Sequence, residues 1–282
     1  MLDNRIYTFL TLCQEMNYRK TAERLNMTQP AVTQHIHYLE NQYRCKFFDY
    51  KGRKLTKTSA CHSLEKHARA LVSNDNSFRQ SIDSRQIQKI SIGATKTIGD
   101  YFLQEAVHHL LDNENIQLDL QVDNTEHLLA KLNSLDLDLL LVEGYFNKND
   151  YAHKLIKRSK LVGICSLDHP FSGKEIGMRD FFDEHIILRE EGSGTRAVLE
   201  QALHQQCFSI DSFGRKSFIS SFKLIEESVA AGHGISFVYD TIANSNPNLG
   251  VFTVKGPEIF HEFNYVYLLG TNVNHIIDNL NL

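Results

Sequence analysis

"YRKTAERLNMTQPAVTQHIHYLENQY", residues 18–43, decides how the chain begins. Asn17 can cap a short helix over 18–25, with Ala22 and Leu25 facing inward. Asn26-Met27 makes a tight turn. Thr28 reads as the N-cap of a second helix over 29–42, and Pro30 falls in its first turn, where a missing N–H costs little. Ala31, Val32, Ile36 and Leu39 form its apolar side. Upstream, Ile6, Phe9, Leu10 and Cys13 recur at i, i+3, i+4, i+7, the stripe of another helix. Two short helices joined by a tight turn and packed on a third are a helix-turn-helix.

The outward side of the second helix offers Thr28, Gln29, Pro30, Thr33, Gln34 and His37, with Tyr38 beside them and His35 nearby. Gln, Thr and His side chains hydrogen-bond base edges, and a Thr methyl meets the thymine methyl. Residues 46–56 then read as two short strands about Gly52, a wing that presents Lys51, Arg53, Lys54 and Lys57 to phosphates. Charge agrees. Residues 1–89 hold 15 Lys and Arg against 8 Asp and Glu, whereas 90–282 hold 15 against 26. A basic first third on an acidic body points to a nucleic-acid-binding module joined to something else. A plain helical bundle would not need the basic wing.

This region strongly resembles the winged helix of LysR-type transcriptional regulators. The resemblance lies in Ala22, Leu25, Thr28-Gln29-Pro30-Ala31-Val32, Gln34-His35-Ile36, Leu39-Glu40, Phe48, Arg53 and Leu55-Thr56. Tyr43-Arg44 stand where the family usually has Leu-Gly, Tyr50 where it has Arg, and Ser59 where it has Gly. Arg44 must therefore close its helix without a glycine, and Tyr50 does not supply the phosphate partner that an Arg would. His37 replaces a usually basic residue, so DNA affinity is expected to fall as pH rises through the histidine range.

Residues 58–82 keep a helical pattern in which Leu64, Leu71 and Phe78 fall seven apart, as do Ala68, Asp75 and Ile82. Asp75 interrupts this seam, and Asn74-Asp75-Asn76-Ser77 is a poor helix former. A helix packed on its own domain would show the same stripe. The resemblance implies a linker helix that pairs with a second subunit in a homodimer or homotetramer. Residues 81–88 read as a hinge.

From Lys89 strands and helices alternate. Strands are expected at 90–94, 117–122, 137–142, 161–166, 186–188, 235–239 and 263–269. Helices are expected at 98–111, 125–132, 195–206 and 221–231. Such βα alternation means a parallel, doubly wound arrangement, with ligands at the carboxyl ends of the strands. Three turns there are rich in hydroxyls: Thr95-Lys96-Thr97, Gly192-Ser193-Gly194-Thr195 and Ser220-Ser221. Each suits an anion at a helix N-terminus, and each alone reads equally as an ordinary N-cap.

The second turn lies in "IILREEGSGTRAVLEQAL", residues 186–203, which also looks like an enzyme's phosphate loop. No Lys follows Gly194 as GxxxxGK[ST] requires, and no G-x-S-x-G elbow is present. Catalysis is therefore not expected. The 14 histidines are dispersed without an HExxH, so neither metal nor cofactor is expected. Cys13, Cys45, Cys61, Cys165 and Cys207 show no CxxC spacing and read as free thiols, with a redox role for Cys165 and Cys207 as the alternative. At 42% hydrophobic and 23% charged, with no signal peptide and no long apolar run, the chain is expected to be cytoplasmic and to have no membrane partner.

The body resembles the LysR-type effector domain, in the branch that includes regulators of sulfur assimilation and of carbon fixation. The matching stretches are "IGATKTIGDYFL" (92–103), "NTEHLLAKLNSLDLDLLLVEG" (124–144), "DHPF" (168–171), "ILREEGSGTR" (187–196) and "AAGHGISFV" (230–238). Lys96 departs from the usual Thr, and Gln104 from the usual Pro.

The whole resemblance implies an α/β architecture with an N-terminal winged helix-turn-helix (1–58), a linker helix and hinge (59–88), and a periplasmic-binding-protein-like effector domain (89–282). The last comprises two Rossmann-like subdomains, 89–162 with 263–282, and 163–262. It further implies double-stranded DNA as partner and a small anionic effector between the subdomains, held by Thr95, Lys96, Thr97, Ser193, Gly194, Thr195, Ser220 and Ser221. Sulfur-metabolism anions and acids are the first to try. Arg196 either meets that effector or pairs with a carboxylate. The alternatives are a redox-sensing or ligand-independent regulator of the same fold, and a cytosolic solute-binding or enzymatic domain with a basic arm.

Overall fold

The computed structural model describes residues 2–82 and 87–282. The first third is a helical trio with a wing: α1 (Asn4–Glu15), α2 (Tyr18–Arg24), α3 (Gln29–Tyr43), β1 (Phe48–Lys51), β2 (Lys54–Lys57) and α4 (Ser59–Ile82). Asn17 caps α2 by accepting from the amides of Arg19 and Lys20, and Thr28 caps α3 from Ala31. Arg44 closes α3 in the left-handed conformation, φ 53°, without a glycine. Gly52, φ 67°, opens the two-residue turn of the wing, where a positive φ favours glycine. Phe9, Ile36, Leu39, Phe47, Leu55 and Ala68 share one core. Glu40 is buried beneath the wing, where it accepts from the Phe47 amide at 2.9 Å and from Lys46 Nζ at 2.8 Å. Lys57, expected at the phosphates, is instead committed to buried Glu65 at 2.8 Å, because a buried carboxylate is costly without a cation.

The poor helix former at 74–77 does not stop α4, which runs 24 residues. Asn74 is held by Gly270 O (2.9 Å) and the Asn272 amide (3.2 Å), and Asp75 pairs with Arg79 at 2.7 Å. Ala68 and Val72 are buried in the winged-helix core, while Leu71, Phe78 and Ile82 are exposed. Of the expected hinge, 81–88, residues 83–86 lie outside the described residues.

The body begins with β3 (Gln88–Thr95), α5 (Lys96–Tyr101), α6 (Gln104–Leu111), β4 (Ile116–Asp123), α7 (Thr125–Asn133) and β5 (Leu139–Val142). It continues through β6 (Tyr151–Ser166), β7 (Glu175–Ile176), β8 (His185–Leu188), α8 (Gly194–Gln205), β9 (Arg215–Phe218) and α9 (Phe222–Ala230). β10 (Ser236–Tyr239), α10 (Asp240–Ser245), β11 (Leu249–Val254), β12 (Phe260–Leu268) and α11 (Asn274–Leu280) complete it.

The sheet is mixed rather than purely parallel. β4, β3 and β5 are parallel, β12 runs antiparallel to β5 and to β6, and β10 and β11 run antiparallel to β6. β6 is the link. Its polar first half pairs with β12 from Tyr151 to Lys160, and its apolar second half pairs with β10 and β11. Two lobes are thereby hung on one long strand. The sequence reading found only the apolar half of β6. Likewise the single helix expected at 98–111 is two, α5 and α6. Phe102 and Leu103 leave the helical path to bury Leu103 and to set the Phe102 ring edge-on to Phe263 at 5.2 Å.

Candidate functional site

Two regions carry the polar chemistry. The first is the outer side of α3 and the wing. Thr28, Gln29, Pro30, Gln34 and His37 are exposed, and Thr33 is half-buried with its hydroxyl donated to Gln29 O at 3.0 Å. His35 turns the other way. Its Nδ1 lies 2.9 Å from Thr8 Oγ1, so this ring helps to seat α3 on α1. Lys51, Arg53 and Lys54 are exposed on the wing. A helix N-terminus flanked by exposed cations matches the way a recognition helix enters a groove while a wing meets phosphates.

The second region is the cleft between the lobes. β3 ends at Thr95 and delivers Lys96 and Thr97 at the start of α5. β5 ends at Val142 and delivers Glu143. The chain between β8 and α8 brings Arg189, Glu190, Ser193, Gly194 and Thr195 from the other lobe. Thr95, Lys96, Asp123, Asn124, Thr125, Glu143, Arg189, Glu190, Gly192, Ser193 and Gly194 enclose a space of about 10 Å³, room for one water at most. The lobes meet here backbone to backbone. A Cβ on Gly194 would stand 3.0 Å from Gly144 Cα, and one on Gly144 would stand 2.5 Å from Thr125 Oγ1. Gly194 thus serves the approach to Gly144.

Polar bonds line the cleft, some within a lobe and some across it. Thr97 donates to Glu143 Oε1 at 2.8 Å and lies 3.4 Å from Thr195 Oγ1. Lys96 Nζ donates to Glu190 Oε1 at 3.0 Å and to Ser220 O at 3.4 Å. Arg189 donates to both oxygens of Glu190, at 2.8 and 3.0 Å, and its guanidinium covers the Phe222 ring at 4.0 Å. Burial works to raise the Glu190 carboxyl, but the hydrogen bonds from Arg189 and Lys96 hold it at about 2. Burial pushes the Glu143 carboxyl up to about 7, against the opposing pull of Thr97, its own amide and Arg189.

Among the described residues, four buried side-chain atoms have no hydrogen-bond partner: Thr125 Oγ1, Glu143 Oε2, Arg189 Nη1 and Tyr239 Oη. The first three belong to residues lining the cleft, and Tyr239 has Glu143 and Thr195 among its polar neighbours. Buried polar groups are ordinarily satisfied, so orphans gathered in one place call for an explanation.

The structure brings Thr95, Lys96, Thr97, Ser193, Gly194 and Thr195 to this cleft. Ser193 precedes α8 without making a side-chain cap, which leaves that end of the helix open. The third turn stays at the rim. Ser221 spends its hydroxyl capping α9 at the Leu224 amide, and Ser220 offers only its carbonyl to Lys96. Arg196 pairs with Glu200 at 2.8 Å and stands over the Phe218 ring, so of its two readings the carboxylate partner is the one present. Cys165 is buried and donates to Gly250 O at 3.5 Å. Burial raises its thiol to about 11. Sequence reasoning missed Thr125, Glu143, Arg189 and Tyr239 as site residues. A charged residue directly after a fully apolar strand, as in Leu-Leu-Leu-Val-Glu, is the signal that marks Glu143.

Both regions fall within stretches that match known families. Residues 84–274 match the family described as LysR substrate binding domain, and residues 4–62 match the bacterial regulatory helix-turn-helix protein, lysR family. Among relatives, the HTH-type transcriptional regulator CysL of Bacillus subtilis is 29% identical over 81% of this chain and 77% of its own length. The RuBisCO operon transcriptional regulator of Allochromatium vinosum is 25% identical over 83% and 78%. A full-length OxyR variant from Pseudomonas aeruginosa shares the fold with a TM-score of 0.65 at 19% identity, covering 99% of this chain and 93% of that one. The regulatory domain of CcmR from Synechocystis, solved in complex with 2-PG, aligns with a TM-score of 0.60 at 22% identity, covering 68% and 95%. Among the described residues no helix is long and apolar enough to cross a membrane.

Proposed function

Given that the chain belongs to the LysR family of transcriptional regulators, on the branch of the relatives just named, we propose that a small anionic effector bound between its lobes controls how it holds DNA. On this reading residues 1–58 bind DNA, 59–88 link and dimerise, and 89–282 sense. The sensing part divides into 89–162 with 263–282, and 163–262. Thr28, Gln29, Pro30, Thr33, Gln34 and His37 face the major groove, with His35 behind them. Lys51, Arg53 and Lys54 hold phosphates. The effector's negative charge lies at the open N-terminus of α8, among Thr95, Lys96, Thr97, Ser193, Gly194 and Thr195, with Ser220 and Ser221 at the rim. Two recognition helices on one site require at least a homodimer, acting in the cytoplasm without membrane, cofactor or catalysis.

The observation that carries this reading is the set of unpartnered buried polar atoms in the interlobe cleft, beside a 12-residue helix whose N-terminus lacks a side-chain cap. Because the cleft is nearly shut, a ligand must part the lobes to enter. It then shifts their arrangement by its differential affinity for the two states. Ser193→Ala with Thr195→Ala is expected to abolish ligand-induced thermal stabilisation and the regulatory response while DNA binding persists. An undiminished ligand shift in that variant would place the effector elsewhere.

A further inference from the structure

The orphaned atoms are not all of one kind. Arg189 Nη1 is a donor seeking an acceptor, which any anion supplies. Glu143 Oε2 is the opposite. When the carboxyl is ionised, this atom is an acceptor seeking a hydrogen. Glu143 is only 2% exposed, so bulk solvent does not reach it, and a ligand that fills the cleft displaces the one water for which there is room. Thr97 has given its proton to Oε1, and Arg189 sends its other nitrogens to Glu190. Neither Thr125 Oγ1 nor Tyr239 Oη makes a hydrogen bond to Oε2. A fully deprotonated oxyanion such as sulfate would complete Arg189 and face Glu143 with oxygen against oxygen.

We infer that the effector brings its own hydrogen to Glu143, so that the cleft selects acids carrying a hydrogen-bond donor over oxyanions that carry none. Hydrogen phosphate, phosphate esters in their monoprotonated form, hydroxy acids and amino acids belong to the accepted class; sulfate and acetate belong to the rejected one. This rests on the effector reading given above and narrows the expectation that sulfur-metabolism anions and acids are the first to try: acids that carry a donor stay, and sulfate does not. Specificity of this sort is steep, because the wrong ligand leaves a buried group unpaired. Arg189 and Lys96 meet the anionic end, and Glu143 decides what else the ligand must have.

The test uses the full chain and matched pairs at one pH near 8: hydrogen phosphate against sulfate, and glycolate and glycine against acetate. Dissociation constants come from calorimetric titration and thermal shift at millimolar ligand. At least one donor-bearing member should bind roughly tenfold or more tightly than its donorless partner. Which pair responds distinguishes a phosphate-type ligand from a hydroxy or amino acid. This comparison is read on the wild-type chain and does not depend on any variant folding.

In Glu143→Gln, Oε1 is still needed by Thr97, so the amide nitrogen takes the place of Oε2 and turns an acceptor into a donor. The preference should then collapse or reverse toward sulfate or acetate, which a merely structural role for Glu143 would not produce. Equal binding of both partners by the wild type, a panel silent throughout, or a preference untouched in Glu143→Gln overturns the inference. Sulfate or acetate binding that vanishes in Ser193→Ala with Thr195→Ala would keep the cleft reading and sink this one. Binding of a donor-bearing acid that survives both variants would sink the cleft reading itself.

Discussion

Glu143 follows four residues, Leu139 to Val142, that are wholly buried in the sheet, and the same burial keeps bulk solvent from its carboxylate. Its folded pKa of about 7 exceeds the ordinary carboxylate value of 4.5. The folded chain therefore holds this proton more tightly than the unfolded chain. That contribution is complete below about pH 4.5 and is lost as pH rises through 7, a difference of about 3 kcal/mol. The groups that face Glu143 are Thr97 and Lys96 from α5, Arg189 and Glu190 after β8, and Tyr239 from β10. The Asp123–His127 pair stands beyond them, and His261 packs on Gly144. Glu143→Gln cannot titrate, so urea melts of both chains at pH 5 and pH 8 isolate the effect. Wild type should lose stability relative to the variant at the higher pH, and a gap that stays constant would rule out Glu143 as the titrating group. The hydroxyl turns at 95–97 and 192–195, singled out in the sequence, do meet at the cleft. Glu143 was not, because its partner Thr97 lies 46 positions earlier in the chain and only folding pairs them.

At the level of elements, local signals were strongest where capping chemistry is local. Asn17, Thr28 and Gly52 each announce a boundary through their own side chain or its absence. The recognition helix is the element that such signals place best. Its Thr33 keeps its methyl and hydroxyl lone pairs available, and Gln34 is exposed. Thr33→Ala with Gln34→Ala should cost about 1–3 kcal/mol of discrimination for each base edge no longer read, while salt-sensitive non-specific binding remains. Gel-shift competition between DNA enriched by the wild-type chain and random DNA reads this directly, and unchanged selectivity would move base reading off α3. Where boundaries depend on distant partners the reading slipped. The break between α5 and α6 answers to Phe263, and the polar half of β6 is a strand because β12 lies beside it.

Over the whole molecule, α4 joins three jobs that a heptad pattern alone cannot separate. One side, with Ala68 and Val72, closes the winged-helix core. Another is tied to the effector body by Lys66 to Asp150 (2.9 Å), Arg69 to Asn133 (2.9 Å) and Asn74 to Gly270 (2.9 Å). A third exposes Leu71 and Ile82, at 53% and 64%. A movement of the lobe that carries Asn133 and Gly270 would therefore be felt by the helix on which the DNA-binding domain rides. The exposed apolar line suits the pairing helix of a second copy. Leu71→Glu with Ile82→Glu should shift the protein to monomer in sedimentation, with circular dichroism unchanged and DNA affinity reduced. An oligomer that persists in that variant would put the interface on another face.

The sequence by itself determined the winged helix, the βα run and the hydroxyl turns, because caps, periodicity and charge are written between near neighbours. The tertiary structure alone decided that the sheet is mixed, that β6 spans both lobes and that Ser221 is a cap at the rim. It also decided that one carboxylate oxygen and one guanidinium nitrogen stand without a protein partner in a closed cleft. Those outcomes depend on which distant groups burial brings together and on which of them it leaves without a partner.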